Sequence, residues 1–341
     1  MGKKRTIRRP IAIGAILALA GSLSACSAPL TPAAGATAVA LPTAAVMRAT
    51  AVASTRAPTQ MPLPTHAPTL TPLPPDAVLV GAGDIANCDP AGAEATARLL
   101  DHIDGTVVTL GDHAYPNGTA ADFERCYEPT WGRHNVRTRP SPGNHDYLTD
   151  NARPYFATFG VNAGPAGRGY YSYNLGAWHI VSLNSQIASS LDSEQATWLR
   201  ADLAANQATC TLAYWHVAVF SSGVVHGNND TMKSIWNILT EAGTDVVLTA
   251  HEHTYERFAP QNSSAIADPN GIRQFVVGTG GAGLYAFGSI QPNSETRNNQ
   301  AYGVLKLTLH VDSYNWEFVP VAGSTFRDTG SAPCIRATAN S

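Results

Sequence analysis

The chain has 341 residues, of which 44% are apolar and 14% charged, with a formal net charge of −3. Seven of the 22 Lys and Arg precede Asp76, whereas all 25 Asp and Glu lie from Asp76 onward, so this larger part carries a formal charge of −10. Such a balance argues against a nucleic-acid binder, because phosphate contacts need a basic surface. We therefore predict no stable nucleic-acid partner, and the acidic excess suits a site that collects cations.

The N-terminus has the form of an export signal. Five Lys and Arg lie within the first nine residues, and an apolar run follows over Ile11–Leu23. This run is shorter than the roughly 20 residues that span a bilayer, so it indicates a secretory signal. The sequence LSAC, ending at Cys26, resembles the bacterial lipoprotein box, which implies cleavage before Cys26 and a lipid on its sulfur. We predict a lipoprotein signal peptide over residues 1–25 and a protein lipid-anchored to the outer face of the cell envelope; an ordinary signal peptide with a chance cysteine is the alternative.

The segment after Cys26 is rich in Ala, Pro and Thr. Ten of the chain's 23 prolines fall between Ser27 and Pro75. Such a composition buries too little apolar surface to offset its ordering entropy, and the prolines favour extended polyproline II. We predict a disordered, semi-rigid stalk over residues 26–75, followed by one α/β domain over residues 76–341.

Four cysteines remain in the predicted domain. An even number in an exported domain indicates two disulfides, with three possible pairings. The pairing favoured here is Cys88–Cys126 with Cys210–Cys334, because Cys88 and Cys126 each follow a motif, and the two motifs are expected to meet in space.

The first elements of the domain predict a parallel βαβ unit. An apolar strand leads to Asp84, a helical pattern runs over residues 93–103, and a second strand over residues 106–110 leads to Asp112. In open α/β sheets, ligands gather outside the carboxyl ends of the strands. Both aspartates lie at such ends.

The later elements continue the alternation and end in a β-rich segment. Patterns of strand, helix and turn residues predict two strands within 168–185, a helix that begins at Ser193, a strand from Cys210 to His216, a helix over 232–242, a strand over 245–249 and antiparallel strands near the C-terminus.

Two histidines follow the strand over 245–249. Because side chains on a strand alternate faces, His251 and His253 are expected to point the same way. Two imidazoles at a strand end fill a core poorly but hold a metal well. The other polar side chains just past strand ends are oxygen and imidazole donors without a thiolate, which suits Mn, Fe or Zn; they are Tyr115, Asn144, His145, Asp146 and His216.

Five short motifs carry a resemblance to a known family. GDI, GDHAY, GNHD, WHV and AHEH occur in the order and approximate spacing of the calcineurin-like metallophosphoesterases, and the tyrosine of GDHAY resembles the purple acid phosphatase branch. The resemblance implies a four-layer α/β/β/α sandwich with a dinuclear metal site. Its first metal would be bound by Asp84, Asp112, Tyr115 and His253, and its second by Asp112, Asn144, His216 and His251.

The resemblance also implies metals and a reaction. Fe(III) would pair with Zn, Mn or Fe(II), and a metal-bound hydroxide would attack a phosphomonoester in line. His145 would protonate the leaving group or steady the transition-state charge, with Asp146 orienting it, and His226 resembles a further histidine that faces the substrate. His113, inside GDHAY, is expected to face solvent or, less favoured, the site.

Other functions stay open. A phosphodiesterase or nucleotidase, acting on a nucleotide or another phosphorylated small molecule, would use the same metals, and a non-catalytic surface protein with structural metals is a third possibility.

Two local features of the sequence bear on the backbone near the metal site. The glycines over 278–283 are expected to let backbone pass close to the metal site, and Ala250 stands where the family commonly has Gly.

Overall fold

The computed structural model describes residues 75–88 and 91–335. The predicted signal peptide, Cys26 and all of the predicted stalk except Pro75 lie outside the described residues. Within the two described ranges, no helix combines the length and apolar character needed to cross a membrane.

Thirteen strands in these ranges form two sheets. The first sheet has the order β13-β12-β11-β1-β2-β3, in which β1, β2 and β3 run parallel and β11 to β13 run antiparallel. Its strands are β1 (Ala77–Ala82), β2 (Thr106–Leu110), β3 (Thr138–Ser141), β11 (Gly303–Leu309), β12 (Ser313–Pro320) and β13 (Thr329–Pro333).

The second sheet has the order β10-β8-β9-β7-β6-β5-β4. Its centre, β5, β6, β7 and β9, is parallel, whereas the outer pairs are antiparallel. Its strands are β4 (Tyr171–Leu175), β5 (Trp178–Ser182), β6 (Cys210–Val217), β7 (Val246–Ala250), β8 (Tyr255–Phe258), β9 (Arg273–Val277) and β10 (Ser294–Asn298).

The described part of the chain also contains six α-helical segments: α1 (Ala91–Leu100), α2 (Ala120–Asp122), α3 (Asn144–Tyr147), α4 (Arg153–Phe159), α5 (Glu194–Ala205) and α6 (Lys233–Glu241). A π-helical turn covers Phe123–Tyr127, and 3-10 turns cover Trp131–Arg137, Asp150–Ala152, Gly160–Ala163 and Asp230–Met232.

Local sequence explains where the longer helices begin and which face they bury. Ser193 caps α5, accepting a hydrogen bond from the Ala196 N–H, as predicted. Helix α6 buries Ile235, Trp236 and Leu239, at the spacing of one helical face.

Two hydrophobic cores give the fold its layers. One core contains residues of β1, β2, β11 and α1 together with residues of β5, β6 and β7 from the other sheet, so it lies between the two sheets and reaches α1. The second core joins the opposite face of the second sheet to α5 and α6. The resulting order of helix, sheet, sheet and helix confirms the predicted four-layer α/β/β/α sandwich.

Both predicted disulfides are present. Cys88 is bonded to Cys126, with their Cα atoms 4.8 Å apart, and Cys210 is bonded to Cys334, with their Cα atoms 5.5 Å apart. The first bond ties the segment after β1 to the π-helical turn, and the second ties the start of β6 to the segment after β13.

Candidate metal centre

The seven side chains predicted as metal ligands converge where strands of both sheets end. The first sheet contributes residues that follow β1, β2 and β3, and the second contributes residues at the end of β6 and just after β7. The seven are Asp84, Asp112, Tyr115, Asn144, His216, His251 and His253.

One half of the site is built around the hydroxyl of Tyr115. Its Oη lies 3.0 Å from Asp84 Oδ1, 3.1 Å from Asp112 Oδ2 and 3.1 Å from His253 Nε2. The imidazole of His253 also lies 3.5 Å from Asp84 Oδ1. These four groups are the predicted ligands of the first metal.

The other half is built around the imidazole of His216. Its Nε2 lies 3.0 Å from Asn144 Oδ1, 3.1 Å from His251 Nδ1 and 3.3 Å from Asp112 Oδ2. One carboxylate oxygen of Asp112 therefore faces both halves, which is the placement that a bridging ligand requires.

Backbone carbonyls orient two of the three imidazoles. His216 contacts the Leu110 carbonyl through Nδ1, and His253 contacts the Gly283 carbonyl in the same way, each at 2.7 Å. Because Nδ1–H is then the donor, Nε2 carries the lone pair that faces the site. His251 instead directs Nδ1 toward the other donors.

The backbone is unusual at the ligands themselves. Asp84, Asp112 and His251 have φ values of 57°, 55° and 72°, a left-handed conformation that non-glycine residues seldom adopt and that often occurs at functional sites. Nearby glycines permit close approach. A Cβ at Gly143 would lie 2.2 Å from Asp112 Oδ1, and one at Gly278 would lie 2.5 Å from Asp84 Oδ2, so the predicted role of the late glycines is confirmed at Gly278.

The methyl group of Ala250 is accommodated by a neighbouring glycine. Ala250 is fully buried, and a Cβ added at Gly83 would lie 2.5 Å from the Ala250 Cβ. The absence of a side chain at Gly83 leaves room for this methyl group, and His251 still joins the cluster.

The electrostatics of the cluster fit bound cations. Burial raises the pKa of Asp84, and burial together with Asp84 and Asp112 raises the pKa of the Tyr115 hydroxyl well above 10. Burial and the neighbouring His216 lower the pKa of His251 to about 2. Burial would lower the pKa of His216, but Asp112 raises it to about 9, so these two groups pair as ions. Asp84 and His251, in contrast, are disfavoured in their charged forms. A metal ion between the donors would supply positive charge to both carboxylates and accept the imidazole lone pairs. The donor set of oxygens and imidazoles therefore fits the metals that the sequence predicts.

His145 lies at the mouth of the site. Its side chain is 31% exposed, its ring centroid is 4.5 Å from that of Tyr115, and its Nε2 is 3.9 Å from Asp112 Oδ2. Its backbone N–H donates to Asp112 Oδ1 at 2.8 Å, and its Nδ1 contacts the Pro116 carbonyl. The ring is thus fixed at one nitrogen, while the other faces the cluster.

The prediction that Asp146 orients His145 is wrong. The Asp146 carboxylate is fully buried and accepts the backbone N–H groups of Asp112, His113 and Gly143. Since the Pro116 carbonyl holds the His145 ring, Asp146 supports the ligand loop instead. A signal for this was present, because an acidic residue at the third position of a helix commonly accepts the N–H that precedes the helix.

His113 is also placed differently from expectation. It faces neither solvent nor the metals but is fully buried, with Nδ1 2.9 Å from Asp146 Oδ2 and Nε2 2.7 Å from Thr109 Oγ1. Its ring packs among aromatic side chains, namely Phe123, Tyr127, Tyr155 and Phe159. The buried Asp146 explains this position, because it gives the imidazole a charged partner.

His226 lies over the second half of the site. Its ring stacks on that of His251, with centroids 3.8 Å apart and planes 24° apart. Two neighbours were missed by the sequence analysis. Tyr285 stacks on His253 with centroids 4.0 Å apart, and Glu252 accepts backbone hydrogen bonds from the His226 loop. Tyr285 lies in a loop whose path the sequence does not predict, whereas Glu252 could have been found from its place between two ligands.

The chain is similar to proteins of one known family. A family model for the calcineurin-like phosphoesterases matches residues 70–255. Purple acid phosphatase 21 of Arabidopsis thaliana is 31% identical over 224 residues, covering 59% of this chain and 49% of that protein. Purple acid phosphatase 15 of the same plant is 28% identical over 224 residues, covering 55% of this chain and 42% of that protein.

A solved structure shares the fold. Purple acid phosphatase PPD1 from yellow lupin seeds matches with a TM-score of 0.66 at 18% identity, covering 76% of this chain and 54% of that one. The chain spans less than half the length of the two Arabidopsis relatives. Because the family model covers more than half of the chain, including all seven predicted ligand positions, the chain belongs to the calcineurin-like phosphoesterase family.

Proposed function

We propose that the protein is a dinuclear metal phosphatase that hydrolyses phosphomonoesters. The observation that carries this proposal is the convergence of seven oxygen and imidazole donors into two halves that share Asp112. The family and the purple acid phosphatase relatives support a metal-dependent phosphoesterase. The choice of a monoester rests on the groups at the mouth of the site.

The donors suggest which metals bind. Asp84, Asp112 and Tyr115 supply hard, anionic oxygens to the first half, which favours Fe(III). The second half has the neutral Asn144 and two imidazoles beside Asp112, which suits a divalent Zn, Mn or Fe(II). When bound, such a pair activates water at neutral pH and neutralises charge on the phosphate oxygens.

Two histidines flank the opening of this pair. His145 stands beside Tyr115 on one side, and His226 stacks over His251 on the other. In this proposal His145 donates a proton from Nε2 to the leaving oxygen, and His226 hydrogen-bonds a free phosphate oxygen. A monoester has more negative charge on its free oxygens than a diester has, so donors on both sides favour the monoester.

The proposed location follows from the N-terminal sequence. A lipid on Cys26 and the Pro- and Thr-rich segment would hold the domain outside the cell, where disulfides persist. The two disulfides support an oxidising compartment. Mass spectrometry of the N-terminal peptide, with Cys26→Ser as the control, tests the lipid directly.

The decisive test of activity compares two chromogenic esters. The purified protein is loaded with Fe and then Zn or Mn, and its kcat/KM is measured on para-nitrophenyl phosphate and on bis-para-nitrophenyl phosphate. We expect a strong preference for the monoester. A preference for the diester would replace the proposal by a phosphodiesterase on the same metals, and no turnover with any metal would favour a non-catalytic surface protein.

A further inference from the structure

Glu252 lies between two predicted ligands but points away from the metals. The backbone turns at His251, with φ 72°, so that His251 and His253 direct their rings to the cluster while Glu252 is directed to the loop that bears His226. The Glu252 side chain is buried, with 1% of the residue exposed. A buried carboxylate needs strong partners, since leaving it without them is costly.

Its partners are three consecutive backbone N–H groups of the loop that bears His226. Oε1 accepts from Val225 at 3.1 Å, whereas Oε2 accepts from His226 at 2.8 Å and from Gly227 at 3.3 Å. Hydrogen bonds to an ionised acceptor are stronger than those between neutral groups. Both oxygens of Glu252 are therefore used to hold one short stretch of chain.

The loop also makes room for the stem of this side chain. A Cβ at Gly223 would lie 2.0 Å from Cγ and 2.0 Å from Cδ of Glu252. Gly223 has no left-handed backbone angle. Its lack of a side chain is thus explained by the carboxylate that packs against it.

The two ends of this loop are held by other groups, since Asn228 Oδ1 accepts the Ser221 N–H and the Ser221 hydroxyl accepts the Gly223 N–H. Val224 is 62% exposed and Val225 is 53% exposed, so neither anchors the loop in a core. Backbone contacts to a facing loop fix its base, through the Val224 N–H on the Ala286 carbonyl. The bonds to Glu252 hold the backbone beside the His226 ring, which also stacks on His251.

We propose that Glu252 is a positioning residue that sets His226 over the second half of the metal centre. It links the strand end carrying two predicted metal ligands to the loop carrying the predicted phosphate-facing histidine. The role of Glu252 in turnover rests on the proposed function, whereas its effect on the position of the loop can be tested without measuring activity.

The sharpest variant is Glu252→Gln, which keeps the size of the side chain. A glutamine has one acceptor oxygen, so it can serve either Val225 or the pair His226 and Gly227, and its NH2 group then faces a backbone donor. Gly223→Ala is the second variant, because its methyl group displaces the carboxylate without removing it. The matched controls are Glu317→Gln, at a partly exposed surface ion pair, and Gly288→Ala, whose added Cβ would meet its neighbours at an ordinary 3.7 Å.

The first readout is amide hydrogen exchange of residues 225–227 in the full chain. We expect Glu252→Gln and Gly223→Ala to speed exchange by about tenfold or more, because the protecting bonds are lost. The two controls should leave these amides unchanged. Unchanged exchange in Glu252→Gln would overturn the proposal, whatever the activity of the protein.

The second readout is steady-state kinetics combined with metal content. We expect Glu252→Gln to raise the KM for para-nitrophenyl phosphate by about tenfold, the effect of losing one charge-assisted hydrogen bond, with both metals retained. In a His226→Ala background the same change should have almost no further effect. Additive effects in this double mutant, or a loss of metal that accounts for the defect, would overturn the positioning role. If neither the wild type nor any variant hydrolyses an ester, the proposed function fails. The hydrogen-exchange result still shows whether Glu252 holds the loop in place.

Discussion

Two clusters of charged side chains lie close to the segment from His253 to Arg257, and they differ in how their charges are balanced. In the metal centre, the ion-pair partners of Asp84 and Asp112 within residues 75–88 and 91–335 are histidines alone. Two residues further along, Tyr255 points to the other cluster, where each carboxylate has an arginine partner.

The second cluster is complete in itself. Arg257 Nε donates to Asp328 Oδ2 at 2.8 Å, Tyr255 donates to the same oxygen at 2.7 Å, and Arg273 pairs with Glu295 at 2.7 Å. Glu295 also pairs with Arg257. We refer to these five residues as the Arg257 cluster.

The difference separates a structural site from one that requires a ligand. The Arg257 cluster has cations from the protein, so it needs nothing more to be stable. The metal centre is more deeply buried, since Asp84 and Asp112 are at most 1% exposed whereas the Glu295 side chain is 39% exposed. Burial raises the pKa of Asp84 and lowers the pKa of His251. Burial of charge alone is a weak guide to function, and the presence or absence of internal charge balance is a better one.

Asp112→Asn tests the metal centre most severely. The shared carboxylate oxygen would become a neutral amide, and both halves would lose an anionic donor. We expect kcat on para-nitrophenyl phosphate to fall by about 10³-fold or more, since metal chemistry and charge stabilisation both suffer. Metal analysis of the same sample should show less than two ions per chain. Wild-type turnover with both metals retained would contradict the assignment of Asp112.

His145→Ala should have the next largest effect. The His145 ring lies at the mouth of the site and does not keep the metal ligands in place, so we expect both metals to be retained. We expect kcat to fall by about 10²-fold, a common loss for one general acid. The defect should be greater for an alkyl phosphate than for para-nitrophenyl phosphate, because the nitrophenolate leaves without a proton. Equal defects on the two substrates would argue against proton donation.

Metal removal should lower the stability of the domain. A ligand at 100 times its Kd stabilises the folded state by about 2.7 kcal/mol, so chelation should reduce the free energy of unfolding by about that amount. Urea unfolding monitored by tryptophan fluorescence, with and without chelator, measures the difference. Asp112→Asn should respond less to chelation, and an equal response would mean that the stabilising metal binds elsewhere.

The sequence predicted the metal centre far better than its surroundings. The ligands follow hydrophobic strands at fixed places. His251 and His253 do share a direction, but strand alternation is not the cause, because β7 ends at Ala250 and His251 has a left-handed backbone. His113 was misjudged because its partner Asp146 lies 33 residues away, which no local pattern encodes, whereas the third position of Asp146 in its helix is a local signal that was not used. The Arg257 cluster joins β8 to residues far along the chain, so only the folded sheet brings it together.

Asp328→Asn tests the balanced cluster, and its effect should be confined to stability. Burial alone would raise the pKa of Asp328, but the hydrogen bonds from Arg257 and Tyr255 bring it below its usual value of 3.8. The stabilisation is therefore fully present above pH 3.8 and is lost as the pH falls through the folded-state pKa. We expect Asp328→Asn to lower the free energy of unfolding by about 2 kcal/mol at pH 7, the range for hydrogen bonds to a charged group.

The pH dependence and a surface pair make this prediction specific. The difference between wild type and Asp328→Asn should shrink when urea unfolding is repeated near pH 3, with chelator present in every sample so that metal binding does not contribute. Glu317→Gln, which breaks the partly exposed pair with Lys306, should change stability by less than about 1 kcal/mol at either pH. If Asp328→Asn lowers the free energy of unfolding equally at both pH values, the packing of Asp328, and not its charge, stabilises the cluster. The contrast with the metal centre would then rest on packing instead of charge balance.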